Sequence, residues 1–94
     1  MKFRPNTLVR RIDLPGSRVR DEIIFFNPEV GEYSAIGEVG IEIWEFLGNE
    51  ERSVSQICDH LVLSFEVDRE TCERDVSDFL GQLEKAGLLD KVSA

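Results

Sequence analysis

The sequence lacks the motifs that catalysis and metal binding usually need. It has one histidine, His60, and two cysteines, and no His or Cys pair stands at metal-ligand spacing. No Ser/His/Asp order and no phosphate-binding glycine loop is present. Cys58 and Cys72 fall on apolar sides of predicted helices, where a thiol acts as a small hydrophobic group; a disulfide or a reactive thiol is the alternative. We expect no catalytic residues, no metal ligands and no cofactor.

Long apolar runs are also absent. No stretch approaches the roughly 20 residues that span a bilayer, and residues 1–5 lack the apolar segment of a secretion signal. The composition, 41% hydrophobic and 32% charged, is typical of a folded globular chain. We expect one cytoplasmic domain over residues 1–94 and no membrane partner.

Positive charge is scarce except near the N-terminus. Residues 1–20 carry six basic side chains against one acidic, whereas the rest carries five basic against eighteen acidic. An acidic body repels phosphates, which predicts no nucleic-acid partner. The basic segment could attract an acidic stretch of a partner, or it could serve only solubility.

The first third of the chain is predicted to be β-structure. Thr7–Leu14 is one candidate strand, ended by a turn at Pro15-Gly16-Ser17. Glu22–Asn27 is a second, rich in β-branched and aromatic residues. A turn at 28–31 leads to a third strand, Glu32–Ile36. If sequence neighbours pair, the third strand lies at an edge of an antiparallel sheet.

From residue 37 onward the apolar residues follow a helical period. Three stripes in succession predict three amphipathic helices, with N-caps at Gly37, Ser53 and Asp68. Gly87 stands where a left-handed residue closes the last helix. The predicted fold is α+β and winged helix-turn-helix-like, a three-stranded antiparallel sheet followed by three helices.

The predicted sheet has two candidate interaction surfaces. Ile23–Phe26 makes the second strand apolar on both faces, so the face away from the helices needs a cover. Either the N-terminal arm, residues 3–5, or a partner could provide it. The third strand exposes backbone groups, and its small Ser34 and Ala35 would let an extended peptide approach. Protection of that edge by Glu32 or by dimerisation is the alternative.

Several short motifs follow one another along the chain. A strand ending in the aromatic-Asn pair Phe26-Asn27 precedes a helix with Gly-x-x-Ile-Trp-x-x-Leu, and Ser-Val-x-x-Ile begins the next helix. Together these motifs resemble those of the PqqD-like family. The resemblance covers roughly residues 6–89. Gly37 departs from the asparagine usual in the family, although both are suitable N-caps. The matching residues include Phe26, Asn27, Gly40, Ile43, Trp44, Leu47, Ser53, Val54, Ile57, Asp75, Val76, Phe79, Leu80, Leu83 and Gly87.

The resemblance implies a domain that binds the leader of a ribosomally synthesised precursor peptide. The leader would add as a strand to the third strand, beside the third helix, and be presented to a processing enzyme. Trp44 and the length of the chain resemble the subunit that works with a lasso-peptide leader protease. Val76 and Phe79 fit core positions equally well. By position, the leader-binding residues would be Glu32, Tyr33, Ser34, Ala35, Asp75, Val76, Asp78 and Phe79.

Three other functions stay open. A peptide chaperone of the pyrroloquinoline-quinone pathway belongs to the same family. A winged-helix DNA-binding protein would read DNA with the third helix, but residues 68–86 carry three basic against six acidic side chains, which disfavours phosphate contact. A dimerisation module would use the apolar strand face instead.

Overall fold

The computed structural model of the protein describes residues 3–92 and confirms the α+β class with three helices. Lys2, one of the basic N-terminal residues, and both ends of the expected 1–94 domain lie outside the described residues. The strands form two antiparallel three-stranded sheets instead of the single predicted one. The elements are β1 (Leu8–Arg11), β2 (Gly16–Val19), β3 (Glu22–Asn27), β4 (Glu32–Ile36), α1 (Glu38–Leu47), β5 (Arg52–Ser53), α2 (Val54–Ser64), α3 (Arg69–Lys85) and β6 (Leu89–Lys91).

The predicted partner of the first strand is wrong. β1 pairs with β5 and β6, and β2 takes the place beside β3. The predicted turn at residues 15–17 is therefore wrong too, since Gly16 begins β2. A Cβ at Gly16 would lie 2.8 Å from Cε1 of Phe25, so the missing side chain makes room for that ring. The turn that leads into β3 lies at Arg20-Asp21, between β2 and β3, and Arg20 has φ of 58°.

The second sheet has the order β2-β3-β4, so β4 lies at an edge, as the sequence predicts. Cross-strand pairs run from Ile23 with Ile36 to Asn27 with Glu32. Because side chains alternate, Phe25 points to the inner face, where it packs against Trp44 of α1 with ring centroids 4.8 Å apart. This aromatic pair joins the sheet to the helices.

Arg11 of the basic N-terminal segment is tied to this core. Its guanidinium lies 4.8 Å from the centroid of the Trp44 ring, and Nη1 donates a hydrogen bond of 2.9 Å to the Trp44 carbonyl. Arg18 lies 3.7 Å from a carboxylate oxygen of Glu45 in α1. These two basic side chains have partners within the protein.

The helix caps confirm the predicted boundaries. Ser53 accepts a hydrogen bond from the Gln56 N–H, and Gln56 bonds back to the Ser53 N–H, which completes a capping box. Asp68 caps α3 by accepting a hydrogen bond from the Thr71 N–H, and it accepts a second from the Thr71 hydroxyl. The two bonds lower the pKa of the Asp68 carboxyl. Gly87 takes the left-handed conformation, with φ of 79°.

The N-terminal arm does not cover the outer face of the second sheet. The Phe3 ring is fully buried near Gly81 of α3, with the Lys91 ammonium 5.3 Å from its centroid. The Pro5 carbonyl accepts a hydrogen bond of 2.8 Å from the Ser55 N–H. The arm is thus bound at the start of α2 and beside the C-terminal half of α3 and the end of β6. Within residues 3–92, no helix combines the length and the hydropathy required to cross a bilayer.

Candidate functional site

The free edge of β4 is the first element of the candidate site. Among residues 3–92, β4 pairs with β3 on one side and with no strand on the other. Its outward N–H and C=O groups are therefore available to an added strand. Ser34 shares the inner face with Phe25, whereas Tyr33 and Ala35 belong to the outer face. Tyr33 is 74% exposed, and its ring packs at a tilt against Phe26, with centroids 4.8 Å apart.

A cleft of about 230 Å³ separates this edge from α3. The side chains of Ser34 and Ala35 on the strand side are small, so an extended backbone can approach β4 closely. The bulky residue of the lining, Phe79, belongs to the α3 side. Ser34 and Ala35 form part of the strand wall, and the last two turns of α3 form the other. The lining residues are Ser34, Ala35, Ile36, Phe79, Gln82, Leu83 and Ala86.

A second, larger groove of about 360 Å³ lies between the three helices. It is strongly apolar, and Asp75 is the one charged residue in its lining. Phe79 lines both the groove and the cleft, so the two depressions meet at its ring. The groove lining comprises Val39, Gly40, Ile43, Leu61, Phe65, Val67, Cys72, Asp75, Val76 and Phe79.

The structure brings together five of the eight residues that the resemblance assigns to the site. Ser34, Ala35 and Phe79 line the cleft, and Asp75 and Val76 line the groove beside Phe79. Val76 is only 2% exposed, so it belongs to the core and forms the floor of the groove.

The other three assigned residues lie outside both depressions. Glu32 and Tyr33 belong to the exposed start of β4, and Asp78 is exposed on α3. The sequence analysis missed Gln82 and Ala86, which extend the wall of α3 beyond Phe79. Their positions three and seven residues after Phe79 place them on the same helix face, which is the signal that could have found them.

The remaining reactive side chains are held in structural contacts. Burial and the neighbouring Cys72 raise the pKa of the Cys58 thiol to about 12, so it stays protonated and unreactive near neutral pH. His60 is 2.8 Å from a Glu42 carboxylate oxygen and stacks on Phe46 at 4.4 Å. Within the part of the chain described, no cluster of three His, Cys, Asp or Glu side chains could hold a metal ion.

Comparisons with known proteins agree with this geometry. The family model "Coenzyme PQQ synthesis protein D (PqqD)" matches residues 22–89, which include the edge strand and all three helices. No curated protein is significantly similar in sequence. The solved structure "TbiB1 in Complex with the TbiA(beta) Leader Peptide" is similar, with a TM-score of 0.74 and 30% identity, covering 90% of this chain and 99% of that one. The chain belongs to the PqqD family.

Proposed function

We propose that the protein binds the leader segment of a ribosomally synthesised precursor peptide by strand addition to β4. The observation that carries this proposal is the free edge of β4 beside an uncharged cleft whose strand side is formed by the small residues Ser34 and Ala35. Its likeness to TbiB1, whose structure contains a leader peptide, supports the same function. The protein acts in this proposal by binding alone and has no catalytic step of its own.

Backbone pairing alone does not give the leader a useful affinity. The five residues of β4 offer about four to six hydrogen bonds, each contributing roughly 0.5–1.5 kcal/mol net. Ordering a flexible peptide costs about 1–2 kcal/mol for each fixed residue, which cancels much of that gain. A micromolar complex needs about −8 kcal/mol. Apolar leader side chains buried in the cleft therefore supply most of the remaining binding free energy.

The direction of the added strand places the two ends of the leader. β4 runs from Glu32 towards Gly37 and α1, so a leader antiparallel to it begins near Ile36 and ends near Glu32. Residues that precede the paired segment then reach the groove, whose lining includes Val39 and Gly40 at the start of α1. We assign this groove to an apolar leader side chain on the N-terminal side of the strand.

Presentation to a processing enzyme is the second part of the proposal. A bound leader leaves the remainder of the precursor to extend past the Glu32 end of β4, away from the groove. A lasso-type leader protease is the proposed enzyme, because Trp44 resembles that subtype more than it resembles a chaperone of the pyrroloquinoline-quinone pathway. Since ribosomes make the precursor in the cytoplasm, we place the complex there.

Isothermal titration calorimetry tests the proposal directly. The probe is a synthetic peptide with the leader sequence of the precursor encoded beside this gene, and the control is a scrambled peptide of the same composition. We expect a 1:1 complex with a Kd of about 1 μM or lower for the leader and no heat for the control. If no leader encoded nearby binds, the proposal is wrong.

Two rival functions, dimerisation and DNA binding, predict different results that can be measured on the same purified protein. A dimerisation module would use the outer face of the second sheet, where Tyr33 is 74% and Val19 49% exposed. It would show a peptide-independent dimer in light scattering. A DNA-binding protein would bind duplex DNA with strong salt dependence, which the acidic α3 opposes.

A further inference from the structure

Asn27 joins the end of β3 to the C-terminus of α3. Its Nδ2 donates a hydrogen bond of 2.9 Å to the carbonyl of Ala86, the C-cap residue of α3. Its Oδ1 accepts a hydrogen bond of 3.0 Å from the N–H of Glu29 in the following turn. One side chain therefore both shapes the β3–β4 turn and attaches that turn to the helix.

Gly87 makes this contact possible. A Cβ at Gly87 would lie 2.2 Å from Asn27 Nδ2, which is too close for two atoms that are not bonded. Gly87 also has φ of 79°, and its N–H bonds to the Glu84 carbonyl in the helix-ending turn. The helix end thus lacks a side chain at the point where the Asn27 amide enters.

The two linked parts are the two walls of the leader cleft. Asn27 pairs with Glu32 across the turn, so it holds the first residue of the edge strand. Ala86, on the other side of the hydrogen bond, lines the cleft opposite Ser34 and Ala35. At its middle, the β3–β4 hairpin is fixed to α1 through Phe25. Asn27 gives the hairpin a further attachment near its turn, in addition to the pairing of β3 with β2.

We infer that Asn27 is a positioning residue for leader binding, which sets the separation between β4 and α3 without touching the leader. The inference rests on the proposed function and adds to it. When the bond is lost, the hairpin samples positions in which the cleft has the wrong width. Only a fraction of the molecules can then bind the leader, and the apparent Kd rises by the inverse of that fraction. The association rate falls by the same factor, while the dissociation rate of the complex stays unchanged.

Asn27→Asp is the sharpest test, because it keeps the shape and the Oδ1 acceptor. It replaces the amide donor with a carboxylate oxygen that repels the Ala86 carbonyl. The matched control is Asn49→Asp, which makes the same charge change at an exposed residue of the α1–β5 loop. Surface plasmon resonance with the immobilised leader peptide, at a temperature where each variant is folded by circular dichroism, gives both rates. We expect association to be about tenfold slower for Asn27→Asp. The control should associate at the wild-type rate.

A second pair of variants covers the case in which Asn27→Asp does not fold. Asn27→Ala removes the amide without adding charge, and Gly87→Ala forces the Asn27 amide away from the helix. Because both break the same contact, we expect the double variant to bind the leader about as weakly as the worse single variant.

Each result separates this inference from the proposed function. Failure of the wild-type protein to bind the leader would contradict the proposed function. If wild type and Asn49→Asp bind and Asn27→Asp associates equally fast, the positioning role is wrong. A faster dissociation at an unchanged association rate would mean that Asn27 contacts the leader itself, which also overturns the inference.

Discussion

The ring of Phe79 lies directly against the backbone of Gly40. A Cβ added at Gly40 would lie 2.9 Å from Cζ and 3.0 Å from Cε1 of that ring. Because Phe79 lines both the cleft and the groove, the absence of a side chain at residue 40 determines the shape of both depressions. Gly40 therefore connects α1 to the site without being a contact residue of the cleft.

Gly40→Ala is expected to weaken leader binding more than it weakens the fold. The added methyl group displaces the Phe79 ring, which can move at its free end, whereas alanine improves helix propensity by about 1 kcal/mol. We expect the free energy of unfolding in urea to change little. In calorimetry we expect the Kd for the leader to rise by about tenfold, or roughly 1.4 kcal/mol.

Gly81→Ala is the matched control for that substitution. Gly81 is also within a helix, but a Cβ there would meet Cε2 of Phe3 at 3.9 Å, an ordinary contact. This variant should gain stability from helix propensity and keep the wild-type Kd. Equal binding by both variants would mean that the position of Phe79 has no part in recognition.

Substitutions of Asp75 and Asp78 distinguish a charge in the groove from a charge on the neighbouring surface of α3. Asp75 lines the groove, while Asp78 is exposed outside both depressions. Asp75→Asn should weaken leader binding by up to about fivefold, since an exposed charge pair contributes about 0.2–1 kcal/mol, and the difference should shrink in high salt. Asp78→Asn should bind as wild type does. A larger effect at Asp78 would relocate the leader on α3.

Cys58 makes stability depend on pH in the alkaline range. Its pKa is about 12 in the folded protein and about 9 as the ordinary value, so above pH 9 the unfolded chain releases a proton that the native state keeps. The group's contribution is complete below pH 9 and is lost as the pH rises towards 12. The free energy of unfolding should fall by up to about 1.4 kcal/mol for each pH unit.

Urea titrations between pH 8 and pH 10.5, with a reducing agent present, measure this slope. Cys58→Ala is the control, because it lacks the thiol and should show a shallower decline whatever its stability at pH 8. Native-state alkylation gives a second readout, in which Cys58 reacts only as fast as the protein opens. Parallel slopes for the two proteins would show that burial does not shift this pKa.

Trp44 is expected to be essential for the fold. Its side chain is 6% exposed and contacts both Phe25 and Arg11. Trp44→Ala should cost about 3–5 kcal/mol, a large part of the stability of a small domain. Leu63→Ala, at a leucine that is 87% exposed, should change stability by less than about 0.5 kcal/mol. Denaturant unfolding compares them, and a small loss at Trp44 would contradict the assigned core.

The helical half of the fold could be predicted from the sequence because its signals are local. The capping box at Ser53 and the left-handed Gly87 each depend on residues a few positions away, and both are confirmed. The three apolar stripes likewise follow from the helical period, and they include the buried residues Ile43, Leu61 and Leu80.

The pairing of the first strand could not be predicted in the same way. β1 pairs with β5 and β6, strands of two and three residues that show no alternation of their own. These pairs join residues far apart in the sequence, such as Leu8 with Ser53 and Arg11 with Leu89. Gly16 was misleading for a different reason, since glycine favours turns but here it makes room for Phe25.

The edge position of β4 was predictable from the sequence, whereas the α3 wall of the cleft was predictable only in part. The lack of proline and lysine in β4 marks an open edge, and β4 is an edge in the structure. On α3, the resemblance assigned both Phe79, which lines the cleft, and Asp78, which lies outside it. It did not assign Gln82 and Ala86, which complete the wall. The width of the cleft depends on contacts between distant residues, such as Asn27 with Ala86, which no single-sequence pattern reports.

Backbone N-methylation of the leader peptide tests the central claim most directly. In a β-ladder, alternate residues direct their N–H groups to the neighbouring strand, so only every second N–H of the bound leader can pair with β4. A set of leader peptides, each methylated at one nitrogen in turn, is titrated against the protein by calorimetry. The account predicts a loss of affinity that alternates along at least four consecutive residues. A uniform effect, or no effect at any position, would contradict strand addition.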